Sequence, residues 1–437
     1  MSDYMFMLES RLSADQNRVL EQAQAAANAI GANLFLTGGC MRDMLGGFRI
    51  RDLDFSVEGN AIKIAKALED QDARIVALDE NRRTVELVFS GGVTAQVAMS
   101  RKERYAKTGG KPQVTPASIQ EDLLGRDFTI NAMALSLSRA SRGLLLDPTN
   151  GLADLGHREM RTTHPYVFYD DPGRLLRLVR LRVRLAFTVE ERTQMQYENA
   201  RAAHVEDLIP ARTLLDELQR IAAEPSPPEM LQALGDAGLL ALFSPALSGA
   251  KLNLPALTRL EKAARLVESA NLTVPPNFAA FLHVLTERLS PKEKSALFKA
   301  VDMPKAEIER MRNIQPHAHK LEQAIKSPRV KKPSHVYQVL ADARPDELVF
   351  LLAASAQRTV QDRIRNYLQK YLPMMQEVPA ADWKAIEGPP GSAKYIRSRQ
   401  AFLAAHLDVR PKPPAPEPET VPSTPAPPEV VARGRGR

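Results

Sequence analysis

The sequence predicts an α+β protein: a head built on one mixed β-sheet, followed by an all-helical remainder. Two observations carry that expectation. Residues 1–150 alternate short β-rich runs with helical patterns, whereas from about 152 to 407 long amphipathic patterns replace the strand signal. A third bears on size: 437 residues, 44% hydrophobic and 25% charged, can fill more than one core.

The first element is marked by Ser13-Ala14-Asp15-Gln16. This is a capping box, in which a hydroxyl and an amide satisfy backbone N–H groups at a helix start. An Ala-rich helix follows and stops near Gly31. Next come an apolar run at 33–36 and a Gly-Gly turn. Residues 53–57, 74–78, 84–89 and 94–99 read as further strands, with a helix at about 61–69 between the first two. Five short strands with few helices predict a sheet covered by helices on a single side. Helical patterns then occupy 174–185, 212–223, 228–240, 255–268, 277–289 and 292–301. Residues 410–437 hold nine of the 32 prolines and close on Arg-Gly-Arg-Gly-Arg. Such a composition buries no core and predicts a disordered Pro-rich C-terminus. The expected divisions are a head at 1–150, a neck at 151–240, a body and tail at 241–406, and the disordered tail at 407–437.

Composition excludes several classes. A single cysteine, Cys40, rules out a disulfide scaffold and a cysteine-based zinc site. No run of 18 uncharged apolar residues occurs, so no membrane span is expected. The first residues lack a basic segment followed by an apolar one, which predicts a cytoplasmic protein. Lys and Arg number 59 against 52 Asp and Glu, a net charge of +7 that suits a polyanionic partner. Aromatics are only 5%, so an RNA partner would be held by phosphate contacts and shape more than by base stacking.

Three segments carry candidate chemistry. In the first, Gly38-Gly39-Cys40-Met41-Arg42-Asp43 is followed by Arg51-Asp52-Leu53-Asp54. Glycines at a strand-to-helix turn let backbone N–H groups approach a phosphate, and the helix N-terminus adds partial positive charge. Arg42 can reach a phosphate or a ribose. Asp52 and Asp54 are two apart on a strand and share a face. They present paired carboxylates to the divalent cations that nucleotidyl transfer needs. In the second segment, Arg126, Asp127 and Asn131 offer a cation, an acceptor and an amide within Gly125-Arg126-Asp127-Phe128-Thr129-Ile130-Asn131. Asp127 also suits a helix cap. The third is Asp170-Asp171-Pro172-Gly173-Arg174, which opens a helix with Asp171 at its cap and Pro172 in its first turn. Arg174, Arg177, Arg180 and Arg184 make one stripe on that helix, and such a stripe needs an anion.

Taken in order, these segments resemble the class II tRNA nucleotidyltransferases (CCA-adding enzymes) and the related bacterial poly(A) polymerases. Both belong to the polymerase-beta-like nucleotidyltransferase superfamily. Asp147-Pro148-Thr149-Asn150-Gly151 with Asp154-Leu155 is similar to that family's joint between head and neck, so the resemblance spans about 30–240. It implies addition of C, C and A to the 3′ end of tRNA from CTP and ATP. Asp52 and Asp54 would hold Mg2+. Gly38, Gly39, Arg42, Asp43, Arg126, Asp127 and Asn131 would hold ribose and phosphates. Asp171 and Arg174 would read the Watson–Crick edge of the incoming base. Arg177 and Arg180 would lie near the triphosphate or support the site. Lys292, Lys294, Lys299, Lys305, Arg310 and Arg312 would contact the tRNA backbone. No oligomeric state follows.

The chain departs from the family pattern at three places. Gln96 stands where the family has a third carboxylate, which predicts slower chemistry or weaker metal binding. Gly125 replaces an arginine before Arg126. Ala211 replaces the glutamate that opens a later neck motif, here Ala211-Arg212-Thr213-Leu214-Leu215-Asp216-Glu217-Leu218. Two other readings stay open: a poly(A) polymerase or an enzyme adding only CC or only A, and a non-catalytic RNA-binding relative. His317 and His319 lack a following Asp, so no added phosphohydrolase domain is expected.

Overall fold

The computed structural model describes residues 3–270, 272 and 278–409. Helix α1 (Asp3–Arg11) leads into α2 (Ala14–Ala29). The capping box between them is formed: Gln16 N donates to Ser13 Oγ at 3.2 Å, and Ser13 N donates to Gln16 Oε1 at 3.0 Å. Strand β1 (Asn33–Thr37) runs into α3 (Gly38–Leu45). Then come β2 (Leu53–Glu58), α4 (Ala61–Glu69), β3 (Ala73–Asp79), β4 (Thr84–Phe89) and β5 (Thr94–Met99). All five expected strands form.

The sheet is larger than expected. After a hairpin of β6 (Arg101–Arg104) and β7 (Gln113–Pro116) and the short α5 (Ile119–Leu124), two more strands join it, β8 (Ala134–Ser136) and β9 (Leu145–Leu146). The order is β3-β4-β5-β2-β1-β8-β9. Within it β2 and β5 are parallel and the other neighbours antiparallel, so the sheet is mixed.

Alternation along the strands separates two faces. Leu34, Leu36, Leu53, Phe55, Val57, Val85, Leu87, Ala95 and Val97 point into the main core, together with Leu20 and Ala23 of α2 and Ile64 and Leu68 of α4. The opposite face carries Asp54 on β2 and Gln96 on β5, which pair in register. That face is not bare, because Phe35 packs there with Ile119 and Leu123 of α5. The single-sided expectation therefore holds for α2 and α4, and α5 adds a small second cluster.

The stretch expected as the neck holds α6 (Gly151–His157), α7 (Val167–Asp170), α8 (Gly173–Leu185), α9 (Glu191–Ala202), α10 (Ala211–Ala222) and α11 (Pro227–Asp236). It is not purely helical: Glu159–Met160 pairs with Thr188–Val189 in a short parallel ladder. The stretch expected as one helix to 240 stops at Asp236, and Gly238 turns the chain at φ +69°. Beyond lie α12 (Leu254–Ser269), α13 (Phe278–Thr286), α14 (Pro291–Ala300), α15 (Lys305–Lys326), α16 (Pro333–Leu340) and α17 (Pro345–Ala354).

The chain forms two compact units. Among the described residues, those up to 326 with 343–364 make one, and 327–342 with 365–409 make the other. The expected divisions at 150 and 240 both fall inside the first. In the second unit the last described helix is Ala393–Leu407. Leu407 is buried, and Asp408 accepts from Ser334 N at 3.0 Å and Ser334 Oγ at 2.7 Å. The expected disordered tail thus begins no earlier than 410, and 410–437 lie outside the described residues. No described helix is long and apolar enough to cross a membrane.

Candidate nucleotide and metal site

The site starts where β1 gives way to α3. Gly38 has φ +65°, a conformation that disfavours a side chain. A Cβ there would lie 3.2 Å from Asp54 Oδ2, and one on Gly39 would lie 3.4 Å from it. Asp54 therefore sits against the helix start, and its Oδ2 accepts from Cys40 N at 3.4 Å. Burial, reinforced by the charge of Asp52, pushes the Asp54 carboxyl above its ordinary range, with the Arg126 guanidinium opposing. Asp52 is exposed and takes a hydrogen bond from the Thr94 hydroxyl.

Two like charges brought together on one sheet face call for a cation. Their hard oxygens fit Mg2+. Among the described residues no three His, Cys, Asp or Glu side chains converge as a metal cluster, because Gln96 occupies the place opposite Asp54. Asp52 and Asp54 could hold a metal only with substrate oxygens and water completing its shell.

The second segment lies beside this pair. It forms one 3₁₀ turn, Thr129–Asn131, rather than an α-helix. Asn131 Nδ2 nonetheless donates to Asp127 Oδ1 at 3.0 Å, and Phe128 N donates to the same oxygen at 2.7 Å. Arg126 donates to Asp122 Oδ2 at 2.8 Å, Ser56 Oγ at 3.0 Å and the Asn131 carbonyl at 3.3 Å. It stays partly exposed next to Gly38.

In the third segment α8 begins at Gly173, one residue later than expected, with Pro172 at its cap position; Asp171 still meets the helix start, Gly173 N donating to its Oδ1 at 3.0 Å. Arg174 is buried and donates to the carbonyls of Gly125 at 3.2 Å and Val167 at 3.4 Å. Its Nε has no hydrogen-bond partner among the described residues and lies 3.8 Å from Asp171 Oδ2. Gly125, which cost the chain a basic side chain, thus supplies its carbonyl to orient Arg174.

The arginine stripe finds its anions inside the protein. Arg177 Nη1 donates to Asp127 Oδ2 at 2.8 Å, and Arg177 Nε lies 3.5 Å from Glu217 Oε1. Arg180 Nε donates to Glu217 Oε2 at 2.8 Å, and Arg180 Nη1 to Glu224 Oε1 at 2.7 Å. Arg184 Nε lies 3.5 Å from Glu224 Oε2, and Arg184 Nη2 donates to Asp43 Oδ2 at 2.6 Å. Arg42 donates Nε and Nη2 to Asp43 Oδ1 at 2.9 and 2.7 Å, and Nη1 to Asn131 Oδ1 at 2.7 Å. Asn131 returns to Asp127, which closes a ring of four guanidinium groups, four carboxylates and one amide across head and neck.

Electrostatics follow from that ring. Burial opposes the Asp127 charge, yet Arg177 and then Arg174 hold its carboxyl far below the usual range. Burial likewise opposes the charge on Arg177, and Asp127 and Glu217 more than compensate. Arg180 is raised in the same way, burial opposing and Glu217 outweighing it.

The expected residues therefore divide. Gly38, Gly39, Asp52, Asp54, Arg126, Asn131, Asp171, Arg174 and Arg177 keep atoms that are exposed or unspent. Arg42, Asp43 and Arg180, expected among the nucleotide ligands, are buried with their polar atoms committed to the ring. Asp127 is buried too, with both oxygens used. Glu224 was not expected, and Glu217 stood only as part of the later neck motif, not as a partner of the arginine stripe. Their spacing of seven puts them on the face of α10 and its C-terminal turn that meets α8, and the arginine stripe was the signal that such acids had to exist.

Comparison with known proteins follows the same outline. The poly A polymerase head domain family matches residues 34–161. An A-adding tRNA nucleotidyltransferase of Geobacter sulfurreducens is 26% identical over 384 residues, 86% of this chain and 43% of the relative. A CC-adding tRNA nucleotidyltransferase of Deinococcus radiodurans is 31% identical over 269 residues, 61% of this chain and 69% of the relative. The chain thus spans less than half of the Geobacter protein. Among solved structures, a CCA-adding enzyme without ligand superposes with a TM-score of 0.54 at 22% identity, covering 93% of this chain and 99% of that one. That likeness establishes the fold.

Proposed function

The chain belongs to the tRNA nucleotidyltransferase family, and on that premise we propose that it extends the 3′ end of tRNA with C, C and A from CTP and ATP. The tRNA 3′-hydroxyl attacks the α-phosphate in line. A new P–O bond forms there, the α–β anhydride breaks, and pyrophosphate leaves. Mg2+, held by Asp52 and Asp54, would supply activation of the hydroxyl and neutralisation of the triphosphate. The turn at Gly38-Gly39 gives phosphate oxygens close access to backbone N–H groups. Arg126, Asn131 and Arg177 hold the ribose and phosphates, and the ring behind them keeps these donors in place. Arg42, Asp43, Asp127 and Arg180 serve that same support.

The observation that carries this reading is the orphaned Nε of Arg174 beside Asp171. A donor and an acceptor set side by side match the ring nitrogen and exocyclic amine that cytosine and adenine share. A non-catalytic relative would need neither this pair nor two adjoining carboxylates. Gln96 removes a third metal ligand and slows the reaction without ending it.

Labelled CTP and ATP, given separately to tRNAs ending before CCA, after C and after CC, test the proposal. Incorporation of C on the first two and A on the third is expected. Addition of A alone to the CC-ending tRNA is the second reading, favoured by the A-adding relative that spans most of the chain. Absence of any incorporation with tRNA still bound would refute both. Asp171→Ala is expected to narrow the preference for CTP and ATP over UTP and GTP by about tenfold or more, measured as relative kcat/KM.

A further inference from the structure

Asp52 has little to hold it. It precedes the first hydrogen-bonded residue of β2, and residues 48–52 have no regular structure. Its side chain is exposed and bonded only to Thr94 among the described residues. Two tethers hold this stretch, one at Ile50 and one at Arg51. Gln16 Nε2 donates to the Ile50 carbonyl at 3.2 Å. The other runs through Arg51, immediately before Asp52. Arg51 Nη1 donates to the Ala223 carbonyl at 3.2 Å, and Arg51 Nη2 pairs with Glu224 Oε2 at 3.1 Å.

Glu224 stands two residues past the end of α10 with its side chain 1% exposed. One carboxylate there faces three guanidinium groups: Arg180, Arg184 and Arg51. Two of these belong to the helix that opens with Asp171 and Arg174. The third belongs to the segment that carries Asp52. A charge so buried is held by its partners, and they are held by it. The neck helix that would read the base and the strand that would bind the metal are thereby joined through one side chain.

We propose that Glu224 is a positioning residue that sets Asp52 through Arg51, so that the neck fixes the metal-binding geometry of the head. The inference rests on the proposed function for its reaction but not for its metal readout. A shift of about 1 Å in a reacting group costs up to about 100-fold in rate, so a tether of this kind has a measurable effect.

The test uses the full chain as Arg51→Met, Glu224→Gln and the double variant. Three quantities are read: Mn2+ affinity by electron paramagnetic resonance with CTP present and RNA absent, the single-turnover rate of nucleotide addition, and thermal stability. Arg51→Met removes only the partly exposed arm and leaves Glu224 with Arg180 and Arg184, so it is expected to fold, with a melting temperature lowered by no more than a few degrees. It should weaken Mn2+ binding and slow the single turnover, each by about tenfold. Glu224→Gln should do at least as much, and the double variant no more than Glu224→Gln alone. Unchanged Mn2+ affinity in Arg51→Met, or losses that multiply in the double variant, would overturn the proposal. If Glu224→Gln does not fold, Arg51→Met decides alone. A wild-type protein that adds no nucleotide, while Arg51→Met still weakens Mn2+, defeats the proposed reaction and leaves the tether standing.

Discussion

Asp54→Ala is expected to lower nucleotide incorporation on the order of 1000-fold while tRNA retention on a filter stays within about twofold of wild type. The carboxylate sits between the start of α3 and Asp52, where burial and a like charge both work against its ionised form. The protein carries that unfavourable charge without an evident folding benefit, which is how sites kept for function behave. Two further results follow. Asp54→Asn keeps the shape and the acceptor for Cys40 N but loses the charge, so it should be as inactive as the alanine variant. Both should melt at or above the wild-type temperature, because the repulsion with Asp52 is gone. Activity in Asp54→Ala above a tenth of wild type would remove the metal pair from the mechanism. Asp52→Ala should lose transfer as well, with a smaller gain in stability, since it relieves the same repulsion but the charge it removes is exposed rather than buried.

Much of this site is legible along the chain because its parts are local. Strand, Gly-Gly turn, helix and Asp-x-Asp follow within about twenty residues, and each has a backbone reason to be where it is. The five strands of 33–99 were legible for the same reason: each is long enough for a period of two to show. Strands β8 and β9 were not, having three and two residues. The hairpin of β6 and β7 was hidden because Arg101-Lys102-Glu103-Arg104 is charged at every position. The use made of the arginine stripe was also out of reach. Its geometry on α8 follows from spacing alone, and its need for anions follows from repulsion. Which anions answer does not, since Arg180 meets Glu217 across 37 residues and Arg184 meets Asp43 across 141. Phosphate and carboxylate are the same partner as far as spacing can tell. Only the packing of α8 between head and α10 decides that most of the stripe is neutralised internally, leaving Arg177 partly open and one nitrogen of Arg174 unspent.

That neutralisation predicts how acid should unfold the protein. Burial works against the charge on Glu217, yet Arg180 and Arg177 hold its carboxyl at about 2, below the ordinary 4.5. A carboxyl depressed by folding adds stability above its unfolded pKa and loses it as pH falls through the folded value. The contribution of Glu217 is therefore complete above roughly pH 4.5 and fades toward pH 2; at neutral pH it amounts to about 3 kcal/mol. Asp127, depressed by the same stripe, fades in the same direction. Glu217→Gln leaves Arg177 and Arg180 short of an anion in a place with little water, at a cost of about 3–5 kcal/mol at pH 7. Denaturant unfolding of wild type and Glu217→Gln should differ by that amount at pH 7, and the gap should shrink steadily from about pH 4.5 downward. A gap that stays constant to pH 3 would mean that Glu217 stabilises by packing and not by charge. The ring would then be a consequence of how α8 and α10 fit together, and the three arginines that lean on Glu224 would have to be reconsidered on the same terms.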